Sequence, residues 1–153
     1  MIFDIHKLKN AMDDVRNHPN MAPSADGSVT HCNSNAFLVC AALGVSDIWT
    51  PLKRDGMMAN DMVEHMEANP DRFFKFCSHL EAWQLASEGN LVFATIQHQP
   101  HGHICPLYPS VGMVTSGKWN DQVPYCSNVG EKNDIMGVNY AFGLVPPDYW
   151  LVL

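Results

Sequence analysis

The sequence predicts an α+β domain in which N-terminal helices pack on an antiparallel β-sheet. Three observations predict it. Apolar residues recur at helical spacing from Ile5 to Ala86. After Asn90 the pattern changes to short runs rich in β-forming residues, beginning with Leu91-Val92-Phe93-Ala94-Thr95-Ile96. No repeat, linker or low-complexity tract interrupts the chain, so its 153 residues read as one domain with room for a substantial core.

Ile5, Leu8, Met12 and Val15 share one face while Lys7, Lys9, Asp13, Asp14 and Arg16 occupy the others, which predicts an amphipathic helix over roughly residues 3–17. His18-Pro19-Asn20 ends it, because the residue before a proline avoids the helical region. Residues 19–29, with Pro, Ser, Gly and Asp, read as a loop. A second helix begins near Thr30–Cys32, where Thr30, Asn33, Ser34 and Asn35 can all cap orphan amides. The eight consecutive apolar residues from Ala36 to Leu43 imply burial on every side, and Gly44 supplies a stop.

Residues 45–56 read as a connector. Met58, Met62 and Met66 recur every four positions with Val63 alongside, predicting a third helix up to Asn69-Pro70 whose methionine stripe packs the core. Phe73, Phe74 and Phe76 are expected to pack the following turn, and Leu80 to Ala86 to form a fourth helix closed by Gly89-Asn90. Leu91–Ile96 is a buried strand and Gln97 to Gly102 a polar loop. Ile104 to Tyr108 is the next strand, with Pro106 implying an edge or a bulge. Val111–Val114, Asn139–Leu144 and Tyr149–Leu153 complete the expected strands.

The totals exclude some functions. Nine Lys+Arg against 16 Asp+Glu give a formal charge of -7, a poor match for nucleic acid or for an anionic membrane surface. No stretch approaches the ~20 apolar residues that span a bilayer, which predicts no membrane insertion. The start Met1-Ile2-Phe3-Asp4-Ile5-His6-Lys7 lacks the pattern of a signal peptide, so a chain made in the cytoplasm is expected. Five cysteines without regular spacing suggest reduced thiols.

Cys32 lies at the mouth of the second helix, where the positive end of the helix dipole favours a thiolate and predicts a lowered thiol pKa. His103, after Gly102 and at the start of a strand, is the candidate base. A third group should orient the far nitrogen of its ring. Asn128 is the first choice, with Asn120 and Asp121 as alternatives nearer to His103 in sequence. Cys40, amid apolar neighbours in mid-helix, reads as a small core residue.

Cys32-Asn33 before an apolar helix ending in Leu43-Gly44 resembles the nucleophile helix of the NlpC/P60 and CHAP group of papain-like peptidoglycan hydrolases. Ala86-Ser87-Glu88-Gly89-Asn90-Leu91-Val92-Phe93-Ala94, followed by Gly102-His103-Ile104, resembles that group's glycine-led strand and its Gly-His-hydrophobic strand. Asn139-Tyr140-Ala141-Phe142 and Tyr149-Trp150 fit its late strands, so the resemblance covers roughly residues 28–153. It implies a papain-like fold and amidase or endopeptidase activity on the peptides of bacterial cell wall. Cys32 would attack the amide carbonyl, His103 would serve as base and then acid, and amides at the helix start would bind the oxyanion. No cofactor or metal is called for. A lone catalytic domain of this kind suits a phage lysin or a secreted antibacterial effector. Either would reach the periplasm or wall by another protein's route, and an effector would be met by an immunity or inhibitor protein.

Two other readings rest on different residues. His98, His101, His103 and Cys105 lie close in sequence, and with Cys126 they offer the nitrogen and sulfur ligands of a zinc site. Trp49, Trp83, Trp119 and Trp150 could stack on sugars in a non-catalytic wall-binding module, Trp119 above all because Lys118, Asn120 and Asp121 suggest an exposed turn.

Overall fold

The computed structural model describes residues 1–53 and 57–153, so residues 54–56 of the expected connector lie outside the described part. The architecture is α+β. Helices α1 (Ile5–Arg16), α2 (Cys32–Leu43) and α3 (Ala59–Ala68) come first. Strand β1 (Phe73–Phe76) and helix α4 (His79–Ser87) follow, then strands β2 (Val92–Ile96) and β3 (His103–Pro106). The rest comprises β4 (Val114–Ser116), β5 (Asp121–Val123), β6 (Tyr125–Asn128), β7 (Asp134–Gly137), α5 (Val138–Phe142) and β8 (Asp148–Val152).

The main sheet has the order β1-β8-β2-β3 and is antiparallel throughout. Alternation along its strands divides the core in two. Phe73, Phe93, Ile104, Trp150 and Val152 face α1–α3, meeting Leu8, Met12, Val39, Trp49, Met62 and Met66. Val92, Ala94, Cys105 and Tyr149 face the other way, toward Ala82, Ala86, Val123, Cys126, Val138 and Phe142. The strand β3 is the sheet's edge, as Pro106 suggested, and just beyond it an isolated bridge between Leu107 and Cys126 joins the β6–β7 hairpin.

Local chemistry accounts for the helices. Asp4 caps α1 by accepting from the Lys7 amide at 3.0 Å, and Leu8, Ala11 and Met12 form its buried face. Gly44, at φ 81°, closes α2 in the left-handed conformation. Met62 and Met66 are fully buried, whereas Met58 precedes α3 and is 46% exposed, so the methionine stripe is core at two positions of three.

Several expectations are corrected. Ala41 and Ala42 are exposed, so α2 is not buried on every side: alanine is small enough to leave its outer face to solvent. Phe73–Phe76 form a strand, not a turn, because Phe73 pairs with Val152 and turns inward. The strand expected at Val111–Val114 begins only at Val114, since Val111 is fully exposed. Asn139 to Leu144 is no strand: Val138–Phe142 turn as a short helix that buries Val138, Asn139 and Phe142. No helix among the described residues is long and apolar enough to cross a membrane.

Phe93 is fully buried on β2 and packs tilted against Trp49 with ring centroids 5.5 Å apart, between the sheet and the helices that carry the site. Replacing Phe93 with Ala is expected to lower stability by about 3–5 kcal/mol in urea titration, and an unchanged midpoint would contradict this packing.

Candidate active site

The N-terminus of α2 meets the start of β3 at a cleft of about 960 Å³ whose lining includes Cys32, Asn33, His103, Gly102, Asn128 and Tyr140. Cys32 is the first residue of α2 and is 7% exposed. His31 occupies the cap position but no side chain caps the helix. The residues expected to cap are engaged elsewhere: Asn33 donates to the Met57 carbonyl, and Asn35 donates to the Ser127 carbonyl at 3.2 Å. The first turn of α2 therefore has no capping side chain, and the amides of Cys32 and Asn33 are directed at the Cys32 thiol.

His103 opens β3 in register with Ile96. Its Nε2 lies 2.7 Å from Asn128 Oδ1, and Asn128 Nδ2 donates to the Lys132 carbonyl at 2.7 Å. The second bond fixes which way the amide points, so the oxygen faces the ring and Nε2 carries the proton of the neutral imidazole. Nδ1 keeps its lone pair, as a base requires. Phe142, with its ring centroid 5.1 Å from that of His103, covers the imidazole from α5.

Burial lowers the His103 pKa from its ordinary 6.5, opposed by the hydrogen bond that the ring donates to Asn128. Burial likewise raises the Cys32 thiol above its ordinary 9.0, opposed by the backbone amides of Ile104, Asn33 and Cys32 itself. The expectation of a depressed thiol is thus overturned: the helix mouth does favour the thiolate, but loss of water outweighs it. At neutral pH the pair rests as thiol and imidazole. The Ile104 amide touching the thiol also places Cys32 against the residue that follows His103.

Gly102 has a steric reason to be glycine. A Cβ there would lie 2.5 Å from the Ile96 carbonyl oxygen and would also strike Asn60 Oδ1. Asn60 uses that space to donate to the His98 carbonyl at 3.1 Å, which ties α3 to the loop before β3.

Of the three candidates for the orienting group, only Asn128 reaches the imidazole. Asn120 stands at the β4–β5 turn with φ 49°, and with Asp121 it lines a separate depression. The zinc candidates are not gathered. His98 and His101 lie in an exposed loop, His103 is bonded to Asn128, and Cys105 is fully buried. Burial pushes the Cys105 thiol well up, reinforced by its contact with Cys126, so Cys105 does not favour the thiolate form that binds metal. Among the described residues no group of three or more His, Cys, Asp or Glu is placed to hold a metal ion. All five cysteines are free thiols.

The tryptophans serve packing. Trp49 and Trp150 are buried, and Trp83 donates to the Ser110 carbonyl at 3.2 Å. Trp119 stacks on His79 at 5.7 Å with an interplanar angle of 7°. None of them lines the cleft.

The chain matches no family model and no curated protein. The cleft is defined by its own geometry. That geometry also includes groups that sequence reasoning did not single out: Asn35 and Arg16, which both hold Ser127, and Asn60 beneath Gly102. The one signal for Asn35 was a polar residue one turn after Cys32 at the head of an apolar helix.

Two predictions follow from this geometry. Gly102→Ala should destabilise the fold by about 1–3 kcal/mol in thermal denaturation, because a backbone carbonyl cannot yield to the new methyl group; an unchanged midpoint would contradict the close approach. Alkylation of Cys32, followed by peptide mass analysis across a pH series, should reach half its maximal rate above the ~8.5 of an ordinary thiol. A midpoint below that value would mean that the helix mouth outweighs burial after all.

Proposed function

We propose that the protein is a cysteine-dependent hydrolase of amide bonds, and that its substrate is the peptide portion of bacterial peptidoglycan. The observation that carries the reading is the pair of bonds made by Asn128, to His103 Nε2 and to the Lys132 carbonyl, which assigns the Nε2 proton and leaves Nδ1 as the base in a cleft that Cys32 also lines. A cysteine at the head of a helix packed against an antiparallel strand that begins with histidine also supports the papain-like form of the α+β fold. The cell-wall substrate rests on the resemblance of the Cys32 and Gly102-His103 segments to the NlpC/P60 and CHAP group.

The chemistry follows from the neutral resting pair. As the sulfur of Cys32 bonds to the amide carbonyl carbon, its proton passes to Nδ1 of His103. The tetrahedral oxyanion is met by uncapped amides at the start of α2, that of Cys32 among them. His103 then returns the proton to the departing amine as the C–N bond breaks, leaving a thioester on Cys32. Water, deprotonated by Nδ1, splits the thioester and releases the carboxylic acid and the thiol. Asn128 keeps one hydrogen bond to the ring throughout, stabilising the imidazolium without adding a charge. No step needs a metal or cofactor. Access to the wall by a phage or secretion route, and an immunity protein as partner, belong to the same proposal.

Digestion of purified peptidoglycan tests it. Wild type should release peptide fragments whose masses identify the bond cut, and Cys32→Ala should lose at least about a thousandfold in rate. Equal activity of the two proteins would remove Cys32 from the mechanism. The pH profile carries the sign of the imidazole shift. His103 must be unprotonated to act, and its pKa is lowered, so the acid limb of kcat/KM should fall below pH 6.5. An acid limb above that value would contradict a buried neutral base.

A further inference from the structure

The strand that carries Asn128 is gripped from the helical layer by two buried polar side chains. Asn35, fully buried on α2 one turn after Cys32, donates to the Ser127 carbonyl at 3.2 Å. Arg16, 8% exposed at the end of α1, donates to the Ser127 hydroxyl at 2.9 Å and pairs with Asp13 at 2.7 Å. Asp13 in turn accepts from the Tyr108 hydroxyl at 3.0 Å, just beyond β3. Ser127 immediately precedes Asn128.

Asn35 is a poor choice for stability alone. Its Oδ1 is buried without a partner, and asparagine is a weaker helix former than leucine. What its amide does is close a ring: Cys32, one turn of α2, Asn35, the Ser127 carbonyl, Asn128, and the His103 imidazole. The helix that presents the thiol thereby also sets the strand that orients the base.

We infer that Asn35 is a positioning residue for the Cys32–His103 pair, acting through β6 and Asn128, with Arg16 as a second anchor on the same serine. This rests on the hydrolase reading above for its effect on rate, but not for its effect on the imidazole.

The test reads the His103 ring directly by nitrogen NMR in wild type, Asn35→Leu and Asn128→Ala, with thermal unfolding and kinetics on the same samples. Leucine has the branched shape and heavy-atom count of asparagine, with somewhat larger methyl groups, and removes the hydrogen bond. Wild type should show His103 predominantly with its proton on Nε2. Asn35→Leu should unfold at or above the wild-type temperature yet show the mixed tautomers of Asn128→Ala. Its kcat should fall by about 10–100-fold with KM nearly unchanged. A His103 signal identical to wild type overturns the inference, and so does a variant that fails to fold, since that assigns Asn35 to folding. Tautomer mixing in a protein that never cleaves peptidoglycan would uphold the inference and overturn the substrate reading instead. Arg16→Met, which keeps an unbranched stem but removes the guanidinium from Ser127 and from over Tyr108, should move the same signal in the same direction; no movement would remove Arg16 as an anchor.

Discussion

The hydrogen bond from His103 to Asn128 spans a junction between two sheets, and the site depends on that junction holding. The main sheet ends at β3, and β6 joins it through a single bridge at Leu107 and Cys126 and an amide of Tyr108 bonded to the Tyr125 carbonyl at 2.9 Å. A junction this narrow does not by itself fix a side chain at the far end of β6. The additional hold comes from the helices, through Arg16 and Asn35 on Ser127, and from the loop beyond. There Asn133 accepts from the Gly130 amide at 3.0 Å and donates to the Met21 carbonyl at 2.6 Å. The His103 ring is thus oriented by contacts that converge on β6 from the helices and from the loop beyond it.

Two electrostatic effects compete at Cys32, and their sizes decide the outcome. A helix N-terminus stabilises a neighbouring anion by about 0.3–1 kcal/mol in ordinary settings. Burying a titratable group moves its pKa by up to roughly 3–5 units, each worth about 1.4 kcal/mol. With Cys32 nearly enclosed, desolvation prevails and the thiol stays protonated at rest. Burial also keeps His103 neutral, so the two shifts are compatible: a protonated thiol and an unprotonated imidazole line one cleft. Water excluded from such a pair strengthens the oriented amides at the start of α2 when charge develops.

Much of this was legible in the sequence, and the reasons differ by element. Helices α1 to α4 announced themselves through period and terminators, as Leu8 and Met12, Gly44, and Met62 and Met66 illustrate. The strands β2 and β8 were apolar enough to stand out. Strand β6 was not, because Ser127 and Asn128 are polar and break any apolar alternation; they are buried where Arg16, Asn35 and His103, 111, 92 and 25 positions away, satisfy them. Helix α5 was misread as a strand, since Tyr140, Ala141 and Phe142 fit either state and only the packing of Phe142 on His103 decides. Asn128 could be named as the orienting group by residue type, yet choosing it over Asn120 and Asp121 needed the register of β6. The Cys32 pKa was misjudged because a sequence shows a helix mouth but not how deeply the thiol beneath it is buried.

In the proposed mechanism the sulfur of Cys32 attacks an amide while His103 takes its proton. The most direct measurement is acid-quenched mass spectrometry of the protein mixed with a soluble peptidoglycan peptide. The account predicts a transient acyl adduct on the peptide that contains Cys32 in wild type, and none in His103→Ala at neutral pH. An adduct confined to the exposed Cys77, or cleavage with no adduct at Cys32 at any quench time, would contradict it.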